Sequence, residues 1–190
     1  LRDVEDESPL TAMVGRLYPS RAIFATACDA KGIDDPEAVG RLATFLKEAG
    51  IPRLVCKTDQ ESSLKSAIEE ALRRVGKSGT FEAFEAIPEY SAVGESASNG
   101  KAERAVQAVE DLLRTLKSAL EARIQCKLPV DHPVIKWLIE HVASILTRYT
   151  INADGRTPYQ SLHGKKSSEK LVEFAEQVVY YVPKWLRAKL

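Results

Sequence analysis

Asp59 and Glu103 are the carboxylates that the local patterns of this 190-residue chain present most deliberately. Asp59 closes the apolar stretch PRLVCKT and opens a helical pattern, and the end of a strand in an α/β sheet is where catalytic groups are commonly displayed. Glu103 falls in the opening turns of a long amphipathic stretch, just after SNG, where a carboxylate also suits the positive end of the helix dipole. Each has a plainer account: Asp59 as a helix N-cap, Glu103 as solvated surface. The chemistry open to the pair is that of two acid groups, with 43 residues between them, brought together by a strand end and a helix. Cys126, His132 and His141 do not repeat a zinc-ligand spacing and are read as structural or surface residues.

Positioning such a pair takes a sheet and helices, and the patterns supply both. Leu10–Tyr18 and Arg21–Cys28 alternate around Pro19-Ser20 as a β-hairpin. Asp35 as N-cap and Pro36 at the first helical position open a helix whose Val39, Leu42, Phe45 and Leu46 share a face, and Gly50 stops it. PRLVCKTD reads as a strand, ESSLKSAIEEALRRVG as a helix, and Phe81–Ile87 as another strand before a turn-rich loop, PEYSAVGESASNG. From Ser98 a long helix carries Val106, Val109, Leu113, Leu116, Leu120 and Ile124, with Ser98 or Asn99 as its cap. VIKWLIEHVASILTRY is a further, well-buried helix, with Trp137 in the core or in a dimer contact. NADGRTPYQSLHGKK breaks regularity, and LVEFAEQVVYYV has the composition of a strand.

The order of these marks is similar to that of a known family. KTDQE resembles the TDNGxEF region of retrotransposon and retroviral integrases, and YSAVGESASNGKAERAVQAVEDLLRTLK resembles their YSPQSNGxxERxNxxLK segment, with Glu103 on the family's catalytic Glu. GRTPYQSLHGKK is similar to the stretch that follows the core, and LVEFAEQVVYYV to the start of the C-terminal β module. The resemblance implies an α/β, RNase H-like mixed sheet flanked by helices. It divides the chain into a catalytic core (1–150, first strand incomplete), a connecting segment (151–170) and the start of a small β module (171–190). It implies polynucleotidyl transfer that joins element DNA to target DNA, within a larger polyprotein. Asp59 and Glu103 are then catalytic and metal-binding, holding two magnesium or manganese ions, because hard cations take carboxylate oxygens.

Three departures accompany the resemblance. The family's first Asp falls at or before Leu1, with Asp3 and Asp6 the nearest candidates; without it, one ion loses a main ligand and the chain by itself is expected to be inactive. The interval between Asp59 and Glu103 exceeds the family's, with Lys77–Phe81 as the place of insertion. Gln60 stands where the family often has Asn. The alternative is an RNase H-like remnant without catalysis that binds DNA or protein, or an unrelated α/β binding domain in which both acids are caps.

DNA contact is assigned to Lys57, Ser98, Asn99, Gly100, Lys101 and Arg104. The stretch 98–101 reads as a polar, flexible entrance whose N–H groups meet phosphate, or as an ordinary loop and cap. Gln107, Glu110 and Asp111 make the following turns less basic, so intrinsic affinity is expected to be weak. The charge balance agrees: 27 Lys+Arg against 27 Asp+Glu leave no global field, so any nucleic-acid surface is local. A composition of 44% hydrophobic and 28% charged residues is that of a chain that buries a core. Cys28, Cys56 and Cys126, odd in number and far apart, are read as free thiols in a reducing compartment, nucleus or cytoplasm. No apolar run reaches membrane-spanning length, so no membrane partner is expected, and the family implies a homo-oligomer.

Overall fold

A computed structural model describes residues 10–58, 61–90 and 96–178. In it β1 (Thr11–Arg16) and β2 (Ile23–Cys28) form an antiparallel hairpin, registered from Thr11 opposite Cys28 to Arg16 opposite Ile23. A 3-10 turn at Gly32–Asp34 leads into α1 (Pro36–Glu48). Then come β3 (Arg53–Thr58), α2 (Ser62–Lys77) and β4 (Glu85–Tyr90), with β4 parallel to β3 as a helical crossover requires. Three helices complete the described chain: α3 (Ser96–Ile124), α4 (Pro133–Arg148) and α5 (Pro158–His163). No ladder joins β1–β2 to β3–β4 among the described residues, so the single mixed sheet expected from sequence is present as two pairs.

Side-chain alternation explains the layers. β2 is buried from Ile23 to Thr26, with Ile23 and Ala25 in a cluster with α3 and α4, while Phe24 meets Phe45 of α1 at a ring separation of 5.4 Å. On β1, Val14 faces the α3–α4 cluster and Met13 faces the α1–α2 cluster. Among the described residues β3 and β4 are covered on one side only: Leu54, Cys56 and Ala86 pack against α1–α2, and Val55 and Ile87 are exposed on the other side. The α1–α2 cluster is built on Val39, Ala43, Leu46, Ala67, Ala71, Leu72 and Val75.

The structure moves several sequence expectations. The strand expected at Phe81–Ile87 starts at Glu85 and runs on through Pro88 to Tyr90, which the sequence assigned to a loop. Phe81 and Phe84 stack at 5.6 Å and pack on the α1–α2 cluster, so the ladder begins only where Glu85 N–H meets the Pro52 carbonyl. Pro88 is tolerated because β4 pairs only with β3 among the described residues, and an edge strand leaves one side free of ladder bonds. Thr157 and Pro158 start α5, and Gly164 at φ +69° stops it, within a stretch read as irregular. Trp137 is 69% exposed rather than buried in the core. No strand forms over Leu171–Val178: Phe174 lies 5.1 Å from the His141 ring and packs on the α3–α4 cluster, and Glu173 pairs with Arg123. Positions 179–190 lie outside the described residues.

The start of α1 follows the sequence closely. Asp35 is buried, and its carboxylate accepts N–H bonds from Ala38 at 2.9 Å and Asp29 at 2.8 Å, tying the helix to the end of the hairpin. Burial works against its charge, but the backbone N–H groups of Ala38, Asp29, Ala30 and Glu37 outweigh it and hold the carboxyl below the ordinary range. Asp35→Ala is therefore expected to cost about 1–3 kcal/mol, as a lost N-cap and a stranded Asp29 N–H. A depressed folded-state pKa places this stability above the unfolded pKa of about 3.9, and it is lost as pH falls through the folded value. Urea unfolding from neutral to acidic pH checks both: the wild-type advantage over Asp35→Ala should shrink on acidification, and a constant difference would contradict the account.

Candidate functional site

Alternation along β3 decides which way its residues look. Leu54 and Cys56 face the α1–α2 cluster; Arg53, Val55 and Lys57 face outward and are exposed. The parallel register sets each outward residue opposite its counterpart on β4. Arg53 Nε lies 2.8 Å from Glu85 Oε2, Lys57 Nζ lies 3.2 Å from Glu89 Oε1, and Val55 stands beside Ile87 between these pairs. Lys57 thus already has a carboxylate partner, which lowers its standing as a phosphate contact; an exposed pair of this kind is worth at most about 1 kcal/mol. Thr58, the last residue of β3, is buried, and its hydroxyl has no hydrogen-bond partner among the described residues. Asp59 follows it in sequence and lies outside the described residues, as does Gln60.

The rotation of α3 is set by its buried stripe, Ala105, Val109, Leu113 and Leu120, which packs on β1–β2 and α4. The stripe is anchored on Ala105 rather than on Val106, which is 39% exposed. Glu103 is two residues before Ala105, about 200° around the helix, and it is exposed. Among the described residues no cation pairs with it. Ser98, Asn99, Gly100 and Lys101 are helical, because α3 begins at Ser96; the flexible entrance loop expected there is the first turns of the helix instead. A Cβ added at Gly100 would meet nothing within 4 Å, so packing does not demand the glycine.

Hairpin pairing brings further basic residues to the start of α3. Lys101 Nζ sits 3.9 Å above the centre of the Tyr18 ring, and Arg104 lies near Arg16, the last residue of β1. Burial, followed by the nearby charges of Arg21 and Arg104, lowers the Arg16 pKa, and Arg16 Nε is buried without a hydrogen-bond partner among the described residues. Arg21 holds φ at +68°, a left-handed conformation that costs a non-glycine residue roughly 1–2 kcal/mol. Sequence reasoning proposed Lys101 and Arg104 as DNA contacts and did not single out Arg16, Tyr18 and Arg21 beside them. The available signal was two arginines flanking the Tyr-Pro-Ser turn, whose meaning depends on where the hairpin end docks.

A cavity of about 310 Å³ lies elsewhere, between β2, α1, α4 and α5, with Thr26, Arg41, Phe45, Glu140, Tyr159 and His163 among its lining. None of the candidate catalytic, metal-binding or DNA-binding residues proposed from sequence lines it. Arg41 pairs there with Glu140, which also accepts the Thr26 hydroxyl at 3.3 Å. Among the described residues no group of three His, Cys, Asp or Glu side chains gathers to hold a metal, and no helix is long and apolar enough to cross a membrane.

No family model matches the chain, and no curated protein matches it. Solved structures do. One is a simian T-cell lymphotropic virus intasome in complex with PP2A regulatory subunit B56 gamma, at 17% identity and a TM-score of 0.59, covering 92% of this chain and 54% of that one. Another is the catalytic core domain of BIV integrase, at 14% identity and a TM-score of 0.54, covering 80% of this chain and 85% of that one. The chain spans about half the length of the intasome chain it matches. The fold is that of retroviral integrase catalytic cores, a mixed α/β arrangement with small sheets and, among the described residues, five α-helices.

Proposed function

We propose that this chain supplies Asp59 and Glu103 to the core of an integrase-type polynucleotidyl transferase, which joins transposable-element DNA to target DNA by metal-assisted attack of a hydroxyl on a phosphodiester, with the first carboxylate coming from outside the residues described. One observation carries the reading: on an integrase-core fold, β3 has a parallel partner and ends at Thr58, the residue before Asp59 in sequence, and Glu103 stands in the early turns of the long helix. The donor types fit a hard divalent cation. Asp59 and Glu103 would hold magnesium or manganese, and the unpartnered Thr58 hydroxyl beside Asp59 in sequence marks a buried strand end with unused hydrogen-bonding capacity. Such ions activate the attacking hydroxyl and stabilise the leaving oxygen. The protein's own part is to fix the carboxylates and grip the DNA. Self-association into a multimer and an element-encoded polyprotein origin belong to the same proposal, as does the division into a core, a connecting segment and the start of a β module.

Ion titration tests the reading. A site that binds only the folded chain stabilises it by about 2.7 kcal/mol when the ion exceeds its Kd a hundredfold. Manganese is expected to raise the melting temperature of the wild type and not that of Asp59→Asn. A wild type indifferent to manganese and magnesium would sink the transferase. The second reading, a non-catalytic module that binds DNA, draws on Lys101 and Arg104, which have no ion pair among the described residues, and predicts DNA binding with no response to ions.

A further inference from the structure

We infer that the cavity between β2, α1, α4 and α5 is a binding site for a small, uncharged aromatic carboxamide, read by the main chain of Ala25. Neither carboxylate proposed for ion binding takes part, so the site stands or falls apart from the transferase reading. The bonding pattern of the hairpin fixes which main-chain groups look outward. Leu17 N–H donates to the Ala22 carbonyl at 2.8 Å, so that pair is bonded across the hairpin. Bonded and non-bonded pairs alternate in an antiparallel ladder. With Arg16 opposite Ile23 and Val14 opposite Ala25, both Ile23 and Ala25 turn N–H and C=O away from β1. At Ile23 one hydroxyl answers both groups: Thr147 Oγ1 accepts the N–H at 2.9 Å and donates to the carbonyl at 3.2 Å. Ala25, two residues on, is 3% exposed, and its N–H and C=O have no partner among the described residues. Buried main-chain groups are nearly always answered, and Ala25 lines the cavity. A ligand that accepts one bond and donates another does for Ala25 what Thr147 does for Ile23.

The walls choose what carries those two groups. Phe45, Tyr159 and Leu162 are among the lining. The Tyr159 ring is held in place by the His163 ring at 4.4 Å and by the Arg148 guanidinium, 5.9 Å from its centre, so one aromatic wall is already set. A volume of about 310 Å³ lies at the small end of the roughly 300–1,000 Å³ of ligand pockets, which suits one ring with one polar group. The guanidinium groups of the lining are engaged: Arg41 pairs with Glu37 and Glu140, and Arg148 with Glu169. Glu48, an exposed part of the lining, has no ion pair among the described residues. An anion entering the cavity therefore meets Glu48 with both guanidinium groups already answered, and a neutral ligand is favoured. A carboxamide sets an acceptor and a donor side by side without charge, and an aromatic ring fills the apolar remainder.

Titration of isotope-labelled protein with benzamide, followed by amide NMR, tests the site. Benzamide is expected to move the Ala25 amide proton downfield and saturably, while the Ile23 N–H, already held by Thr147, moves far less. N,N-Dimethylbenzamide keeps the ring and the oxygen but has no N–H to give. It should bind roughly threefold to tenfold more weakly, the factor that one hydrogen bond is worth. Benzoate, which lacks the donor and carries a charge toward Glu48, should bind more weakly than benzamide as well. Leu162→Trp, at a half-buried position of the short α5, fills the cavity from one side and should remove saturable binding while the melting temperature is kept. If that variant folds poorly, the three ligands on the wild type decide the matter. Equal affinities for benzamide and its dimethyl derivative overturn the proposal, as does tighter binding of benzoate, which would assign the cavity to anions. An Ala25 resonance indifferent to benzamide at millimolar concentration, or a folded Leu162→Trp variant that binds as the wild type does, overturns it too.

Discussion

Glu103→Gln is expected to weaken manganese binding by at least about ten- to hundredfold, the loss that removing even an outer partner of a metal ligand commonly brings. The substitution keeps the size of the side chain and its helix position, so Ala105 and Val109 still pack and the fold stays intact. What disappears is a negative oxygen. Glu103 is exposed, and no cation among the described residues compensates it, so its charge is available to an ion. Lys101 and Arg104 flank it in sequence, so losing the carboxylate also makes the start of α3 more basic. DNA affinity at low salt should therefore rise slightly while manganese affinity falls, and opposite signs are hard to obtain from a folding defect. Manganese-induced relaxation of water protons in the wild type and the variant measures the first, and anisotropy the second. Equal manganese affinities would remove Glu103 from the proposed site.

Leu138→Ala should have the largest effect on stability. Leu138 is fully buried on α4, beside Ile135, Ile139 and Val142 and against Ile23 and Ala25 of β2 and the α3 stripe. Truncation there removes apolar contact and leaves a cavity, typically about 2–5 kcal/mol for a buried leucine. That is a large share of the roughly 5–15 kcal/mol by which such domains are stable. At about 2–4 °C per kcal/mol, the melting temperature should fall on the order of 10 °C. Trp137→Ala, one residue away on the exposed face, should move stability by no more than about 0.5 kcal/mol. Calorimetry on the two variants compares them directly. Similar losses would mean that α4 does not present the face described.

Much of the fold was legible because local rules and tertiary outcome agree. Asp35 with Pro36 starts α1, the 3.6-residue spacing marks α2, α3 and α4, and alternation marks β1, β2 and β3. β4 was misplaced because Phe81 and Phe84 carry strand composition but serve as packing residues, and because Pro88 signals a break except at an edge. The loop expected at 98–101 became helix because Ser and Asn are permitted in a first turn as well as before it, and Gly100 stops nothing when the turns that follow are packed.

The candidate site divides differently. Sequence by itself determined which carboxylates to consider, Asp59 and Glu103, and the resemblance to integrases, since both are matters of residue type and order along the chain. The fold likeness agrees at the level of architecture. Only the tertiary structure decided that Lys57 answers Glu89, that Val106 turns outward while Ala105 turns in, and that the Tyr18 ring meets Lys101. The physical reason is distance along the chain. Residues three or four apart interact through helix periodicity, but those about 80 apart meet only when a hairpin and a helix bury their apolar faces together, which then fixes where their charges stand.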